Sequence, residues 1–293
     1  MTRHSQTVHE VSAQPTLNEK PDALNTRPVW SRMRPIRSDE PEKVEAFKDS
    51  VYDGRALIVL GGPSASEWEK VRDEIKPDVL IGVNGVNNVV ENLDFYLLTE
   101  NMNRTALLAS RGDQRSINFI RMVNLNNAKV RMISHRSINL VTDRSNVISV
   151  RREGYETVPD DFTFRNYGRG FMSGPIMKQE GAWTSPSVKI RVGTVAIQAI
   201  HLAGILGCRE VHTIGYDLMF GKTHHWFKYP EYIADRFRTD KMFVDYKGVK
   251  TQYFWIETAR FLKTLEPVFK RDNLVWRDHS DGLLKIERLW CAL

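Results

Sequence analysis

The sequence predicts an α/β protein with a Rossmann-like, doubly wound and mostly parallel sheet. Three observations lead to this class: short apolar runs alternate with helical patterns, the first run (Ala56–Leu60) is continuously apolar, and a glycine-containing turn follows it directly. A continuous apolar run is typical of a strand covered on both faces, as in a parallel sheet. Strands that alternate with helices form such sheets.

The elements follow in a regular order up to residue 150. After the first strand, Ser66–Ile75 is predicted as a helix for which Ser64 or Ser66 can serve as the N-cap. The further strands are expected at Val79–Val83, Asp94–Leu98, Lys129–Ser134 and Val147–Val150.

Residues 151–190 interrupt this order with many glycines, prolines and aromatic residues. We expect a long irregular insertion there, which is typical of a lid or a binding loop. The segment 220–250 is basic and aromatic and is expected to be a second lid or acceptor loop. The remaining elements are expected to be a helix at Val192–Leu206, a strand at Glu210–Ile214, a long amphipathic helix at Gln252–Phe269, a strand at Leu274–Trp276 and a short terminal helix.

Composition indicates one sizeable core and a tail. Of the 293 residues, 41% are hydrophobic and 10% aromatic, which is ordinary for a globular domain. Residues 1–45 hold few large apolar side chains, so we expect a flexible N-terminal tail followed by a single α/β domain at 46–293.

Charge and cysteine content restrict location and partners. No apolar run is long enough for a membrane span and no signal peptide is evident, so we expect a cytoplasmic protein without a transmembrane segment. The net charge of +6 favours anionic partners such as nucleotides and leaves peripheral membrane contact and homo-oligomers open. We expect no nucleic-acid partner, because acidic residues are mixed with the basic ones. Cys208 and Cys291 are expected to be reduced, packed thiols.

Small, polar or acidic residues follow the predicted strands. In a parallel sheet ligands bind beyond the carboxyl ends of the strands, so these residues are the candidate site. They are Gly61, Gly62, Pro63 and Ser64 after the first strand, Asn84 after the second, Glu100 after the third, Gly215, Tyr216 and Asp217 after the strand at 210–214, and Asp278, His279 and Ser280 after the last.

The first turn suits a phosphate or ribose, because its glycines let backbone N–H groups approach a ligand and Ser64 offers a hydroxyl. The same residues also suit a tight turn between a strand and a helix. They form neither a Walker loop nor a G-x-G-x-x-G fingerprint. Asn84 can bond a base or ribose, or only cap the helix after it.

Gly193 and Thr194 open the apolar helix and predict a second anion site, with close helix packing as the alternative. Asp217 can bind magnesium, hydrogen-bond an acceptor or cap a turn. His225 is expected to transfer a proton or contact a phosphate, and we expect no metal site built from these residues.

Two blocks carry a family resemblance: ALIVLGGPSASEWEKV from Ala56, and GTVAIQAIHLAGILGCREVHTIGYDLMFGKTHH from Gly193. They resemble the MptE-like family, which includes 6-hydroxymethylpterin diphosphokinases and motility accessory factors. More distantly, they are similar to bacterial sialyltransferases of the lipooligosaccharide type. The resemblance implies a Rossmann-like sheet that binds ATP in the first case and CMP of a sugar donor in the second.

The sequence also departs from these relatives. Gly61 stands where the sialyltransferases have asparagine, so we expect one hydrogen bond to the nucleotide-sugar donor to be absent. Their catalytic histidine precedes the long C-terminal helix, a region that here reads VDYKGVKTQ, which leaves Asp245, Tyr246 or His225 as candidate bases. Glu100 can stand for the acidic residue that the diphosphokinases have after the third strand.

We therefore expect a glycosyltransferase that uses a CMP-linked donor and a glycan, lipid or protein acceptor, with Asp217, His225 and Asp245 as catalytic candidates. This hypothesis requires no cofactor. The alternatives are a diphosphokinase that uses ATP and Mg²⁺ bound by Glu100 and Asp217, and a non-catalytic binding module on the same fold.

Overall fold

A computed structural model describes residues 54–99, 102–155, 158–167, 170–179, 188–191, 194–220 and 243–293. The strands of these residues are β1 (Arg55–Val59), β2 (Val79–Val83), β3 (Phe95–Leu98), β4 (Val130–Ser134), β5 (Val147–Val150), β6 (Arg152–Tyr155), β7 (Phe171–Gln179), β8 (Val188–Arg191), β9 (Glu210–Ile214), β10 (Phe243–Tyr246), β11 (Val249–Gln252) and β12 (Val275–Asp278).

The same residues also form α-helices. They are α1 (Trp68–Ile75), α2 (Asn103–Ser110), α3 (Gln114–Asn124), α4 (Val195–Ile205), α5 (Tyr253–Thr264), α6 (Glu266–Arg271) and α7 (Leu283–Ile286). Among the described helices, none is long and apolar enough to cross a membrane.

Seven strands form one sheet in the order β12–β9–β1–β2–β3–β4–β5, and every neighbouring pair is parallel. This confirms the predicted Rossmann-like α/β class. The predicted strands at 56–60, 79–83, 94–98, 129–134, 147–150 and 210–214 are all confirmed to within one residue at each end.

The sheet separates two hydrophobic clusters, and β1 contributes to both because its side chains alternate between the faces. Ala56 and Ile58 belong to the cluster that includes the buried residues of α4, α5 and α6. Leu57 and Val59 belong to the cluster that includes those of α1. All four side chains have no exposed surface, as the continuous apolar run predicts.

Two predictions about regular structure were incomplete. The stretch 151–190 is not irregular throughout, because β7 pairs with β6 in parallel and with β8 in antiparallel fashion. The helix predicted at Gln252–Phe269 is divided into α5 and α6, and β11 supplies Gln252. Pro267 explains the division, because it has no N–H to continue the hydrogen bonds of α5 and is instead accommodated in the first turn of α6.

Candidate functional site

The order of the strands defines a switch point at the centre of the sheet. From β1 the chain adds β2 to β5 on one side, and it later returns to add β9 on the other side of β1. Ligands of doubly wound proteins bind at the carboxyl ends of the strands that flank such a point. The turns that follow β1 and β9 contain Gly62–Ser64 and Gly215–Asp217, so the structure brings two of the predicted groups together.

Hydrogen bonds join these two turns directly. The Ser64 hydroxyl donates to Oδ2 of Asp217 at 2.9 Å and accepts from the N–H of Gly215 at 3.1 Å. The backbone N–H of Ser64 donates to the same carboxylate oxygen at 3.2 Å, and the N–H of Gly62 donates to the carbonyl of Gly215 at 2.9 Å. The donors that the sequence assigned to a phosphate are therefore already bound within the protein.

Both turns depend on glycine, for different reasons. Gly62 has an ordinary extended backbone, but a Cβ there would collide with the Asp217 carboxylate and lie 2.5 Å from the carbonyl oxygen of Gly215. Gly215 has φ +81°, in the left-handed region that favours glycine. The close approach of the two turns thus requires glycine at each position.

Asp217 is buried behind these turns. Its residue is 1% exposed, and burial raises the pKa of the carboxyl above its usual range, although the hydrogen bonds from Ser64 oppose that shift. Its backbone carbonyl accepts a hydrogen bond of 2.7 Å from Leu283 at the start of α7. Asp217 therefore connects the turn after β1, the turn after β9 and the start of α7.

Asn84 follows β2, the neighbour of β1 on the other side of the turn. It has φ 51°, a left-handed conformation that asparagine tolerates better than most residues. Its Oδ1 atom is buried and has no hydrogen-bond partner among the described residues. Buried polar atoms are rarely left unpaired, so this amide oxygen points to an interaction with a group outside the described residues.

Helix α4 begins without a side-chain cap. Thr194 is its N-cap residue, but the Thr194 hydroxyl makes no bond to the helix and instead lies 2.7 Å from the hydroxyl of Tyr216. One turn further on, Gln198 is 1% exposed, and its Oε1 has no partner among the described residues. Helical side chains lean toward the N-terminus, so we expect the amide of Gln198 on the side of its helix turn nearer Thr194.

A buried polar network lies behind Tyr216. The N–H of Tyr216 donates to the Ser280 hydroxyl at 2.8 Å, and Ser280 donates to Oδ1 of Asp278 at 3.0 Å. Thr213 donates to the same oxygen at 2.5 Å. Asp278 is fully buried, and this burial raises the pKa of its carboxyl to about 8, so that it is protonated at neutral pH.

The other predicted site residues are distributed as follows. Pro63 begins a short 3-10 turn after β1, and Asp245 is exposed on β10, in the two-stranded sheet with β11. His279 contacts His212, with Nε2 2.8 Å from its Nδ1. Gly193, Glu100 and His225 lie outside the described residues, as do the tail at 1–45 and positions 221–242.

Metal binding has no support within the described part of the chain. No group of three His, Cys, Asp or Glu side chains there is arranged to hold a metal ion. Asp217, the one predicted magnesium ligand that the structure describes, has its Oδ2 bound to Ser64.

Sequence reasoning did not identify Tyr216, Ser280 and Asp278 as a connected network, although it noted that they follow strands. Hydrogen bonds between residues more than 60 positions apart, such as Tyr216 to Ser280, leave no local pattern. Gln198 was missed altogether, and its signal was a single amide within the apolar stretch VAIQAI.

The fold and the switch-point turns define a Rossmann-like α/β protein with a polar site at the carboxyl edge of its sheet. Comparisons with protein families, with curated proteins and with solved structures found no match.

Proposed function

We propose that the protein is a nucleotide-dependent transferase, and that it is a glycosyltransferase with a CMP-linked donor and a glycan, lipid or protein acceptor. The observation that carries this proposal is the N-terminus of α4, which has no side-chain cap and contacts the turn after β9 through Thr194 and Tyr216. Backbone N–H groups and the helix dipole attract phosphate at such an end.

The division of roles differs from the one that the sequence suggested. Because Ser64 and Gly62 are bound to Asp217 and Gly215, they hold the two turns together, and the N-terminus of α4 is the proposed phosphate site. The Oε1 atom of Gln198, which has no partner among the described residues, is proposed to accept a hydrogen bond from a hydroxyl of the ribose or of the transferred sugar.

The base is proposed to lie at Asn84. Its unpartnered amide oxygen is an acceptor, which suits the exocyclic amine of cytosine or adenine and not the carbonyl oxygen that uracil presents at the same position. This observation supports CMP over UDP, and it is equally compatible with ATP.

In this mechanism the departing phosphate gains negative charge, and the N-terminus of α4 stabilises it. The acceptor hydroxyl must lose a proton, and His225 and Asp245 remain the proposed bases. Asp217 is proposed to act through the two turns, because its carboxylate contacts Ser64 and is closed off from solvent. The mechanism requires no metal, whereas a diphosphokinase would require Mg²⁺.

The test is a titration of CMP, UDP, and ATP with Mg²⁺, followed by calorimetry and by the melting temperature. At a CMP concentration of 100 times Kd we expect a stabilisation of about 2.7 kcal/mol. UDP is expected to bind more weakly. No response to CMP would refute the CMP donor, and a response to ATP with Mg²⁺ alone would favour the diphosphokinase. CMP binding without hydrolysis or transfer of any CMP-linked sugar would favour the binding module.

Asn84→Gly is the variant that tests the base site. Asn92→Gly is its matched control, because Asn92 also has a left-handed backbone, with φ 57° against 51° for Asn84, but is exposed and precedes β3. Glycine accepts both conformations without strain. We expect Asn84→Gly to weaken CMP binding about tenfold and Asn92→Gly to leave it unchanged. Equal effects of the two variants would remove Asn84 from the site.

A further inference from the structure

Tyr216 is held at both of its ends by described residues. Its backbone N–H donates to Ser280, which donates to the carboxyl group of Asp278. Its hydroxyl lies 2.7 Å from Oγ1 of Thr194, at the start of α4. Tyr216 therefore links two sets of hydrogen bonds, one to Ser280 and Asp278 at the end of β12 and one to the N-cap of α4.

Three of these residues are shielded from water, and Thr194 at the other end is half-buried. Tyr216 is 3% exposed, Ser280 1% and Asp278 not at all. Each member would leave a buried polar atom unpaired if its neighbour were removed, which costs about 1–3 kcal/mol per group. The ring of Tyr216 also lies 6.1 Å from that of Trp276, between centroids, so the side chain has little freedom to turn away.

The hydrogen bond that Thr194 makes to Tyr216 is unusual for a threonine at an N-cap. Threonine at an N-cap ordinarily bonds to the backbone N–H groups of its own helix. In α4 the Thr194 hydroxyl faces Tyr216 instead, and it makes no such bond. The first-turn N–H groups of α4 therefore have no side-chain cap from Thr194, and the N–H of Ile197 donates to the backbone carbonyl of Thr194 at 3.2 Å.

We propose that Tyr216 is a positioning residue that keeps the N-terminus of α4 open for a phosphate, by holding the hydroxyl of Thr194 away from its own helix. This inference rests on the proposed nucleotide site. Without the tyrosine hydroxyl, Thr194 turns back and caps α4, and it then competes with the phosphate for the same N–H groups. Asp278 and Ser280 maintain the position of Tyr216.

The protonation states of Asp278 and Tyr216 agree with this role. Burial raises the pKa of Asp278 to about 8 and that of Tyr216 well above its usual range. Both groups are therefore neutral near pH 7, and neither repels a bound phosphate.

The experiment compares CMP with cytidine, which lacks the phosphate. In Tyr216→Phe we expect CMP to bind about tenfold more weakly and cytidine to bind as it does to the wild-type protein. Ser280→Ala, which releases the backbone of Tyr216, is expected to cause a smaller loss in the same direction. Tyr253→Phe is the matched control, because Tyr253 is 68% exposed at the start of α5, and it should bind both compounds normally.

A double variant separates this role from a general loss of packing. Valine cannot cap a helix, so Tyr216→Phe combined with Thr194→Val should regain most of the CMP affinity that Tyr216→Phe loses. Three results would each overturn this inference and leave the proposed function standing. They are wild-type CMP affinity in Tyr216→Phe, an equal loss of affinity for CMP and cytidine, and no recovery of CMP affinity in the double variant. If the wild-type protein binds neither compound, the proposed function fails together with it.

Discussion

The hydroxyl and the backbone N–H of Ser64 both donate hydrogen bonds to Oδ2 of Asp217, a residue 153 positions further along the chain. The same hydroxyl accepts the N–H of Gly215. One serine thus joins the turn after β1 to the turn after β9, and its partner carboxylate is almost without solvent contact. Removing either residue should therefore affect the sheet edge as a whole.

Ser64→Ala should destabilise the protein by about 2–3 kcal/mol, because the N–H of Gly215 loses its acceptor and the buried carboxyl group of Asp217 loses one of its two hydrogen bonds from residue 64. The measurement is urea denaturation at pH 7. Ser66→Ala is the matched control in the same turn, since Ser66 is exposed and its hydroxyl donates to the carbonyl of Pro63. We expect it to change stability by less than about 0.5 kcal/mol. Equal losses of stability in the two variants would contradict the role of Ser64 in joining the two turns.

Gly62→Ala should cost about 3 kcal/mol, because its Cβ has no space beside Asp217 and Gly215. The backbone of Gly62 is ordinary, with φ −71°, so the loss is steric. Gly112→Ala provides the opposite case, since Gly112 has φ +82° and no atom within 4 Å of the added carbon. Its cost should be about 1 kcal/mol of backbone strain. Thermal unfolding measures both, and the reverse order would refute the close approach of the turns.

Much of the fold could be predicted because its signals are local. The run at 56–60 is apolar at every position, and β1 is indeed buried on both faces of the sheet. The helix predicted to end at Leu206 is followed by Gly207, which has φ +89° just after α4. Such features depend on a few adjacent residues, which is why sequence alone predicts them.

The site was less predictable, because its partners are distant in sequence. The sequence placed Ser64 and Asp217 at one edge of the sheet but not in contact, and it offered Ser64 to a ligand. Whether a hydroxyl faces a ligand or a carboxylate is decided by the register of β1 against β9, which pairs Val59 with Ile214. No local pattern encodes that register.

Asp278 should make the protein less stable as the pH rises from 7 to 8. Its folded-state pKa is raised from 3.8 to about 8, so in this range the folded protein retains a proton that the unfolded chain has lost. The free energy of unfolding then falls with increasing pH, by about 1 kcal/mol over this unit. Urea denaturation at a series of pH values measures the slope.

Asp278→Asn is the control for that slope. The amide oxygen can still accept from Thr213 and Ser280, but the side chain cannot ionise. We expect the free energy of unfolding of this variant to be nearly constant between pH 7 and 8. If the variant and the wild-type protein lose stability in parallel, another group is responsible.

His201 should produce the opposite dependence on the acid side. It is buried within α4, where its Nδ1 accepts from the N–H of Met172 at 3.0 Å and its Nε2 lies 2.6 Å from the carbonyl oxygen of Asn166. This arrangement requires neutral imidazole with its proton on Nε2, and burial lowers the pKa from 6.5 to about 4. Below pH 6.5 the unfolded chain therefore binds a proton at this histidine that the folded protein does not bind. The free energy of unfolding consequently falls as the pH decreases toward 4.

His201→Gln removes that proton linkage while keeping an amide that can both donate and accept. We expect the variant to be less stable than the wild-type protein at pH 7, because the glutamine fits the two hydrogen bonds less well. Between pH 6.5 and 5 the difference should shrink by about 1.5 kcal/mol, since only the wild-type protein loses the contribution of His201. Other titrating groups, including His212 and Asp278, remain in both proteins and cancel in the comparison. A difference that stays constant over this range would mean that His201 takes up its proton in the folded state, which is incompatible with the hydrogen bond from Met172.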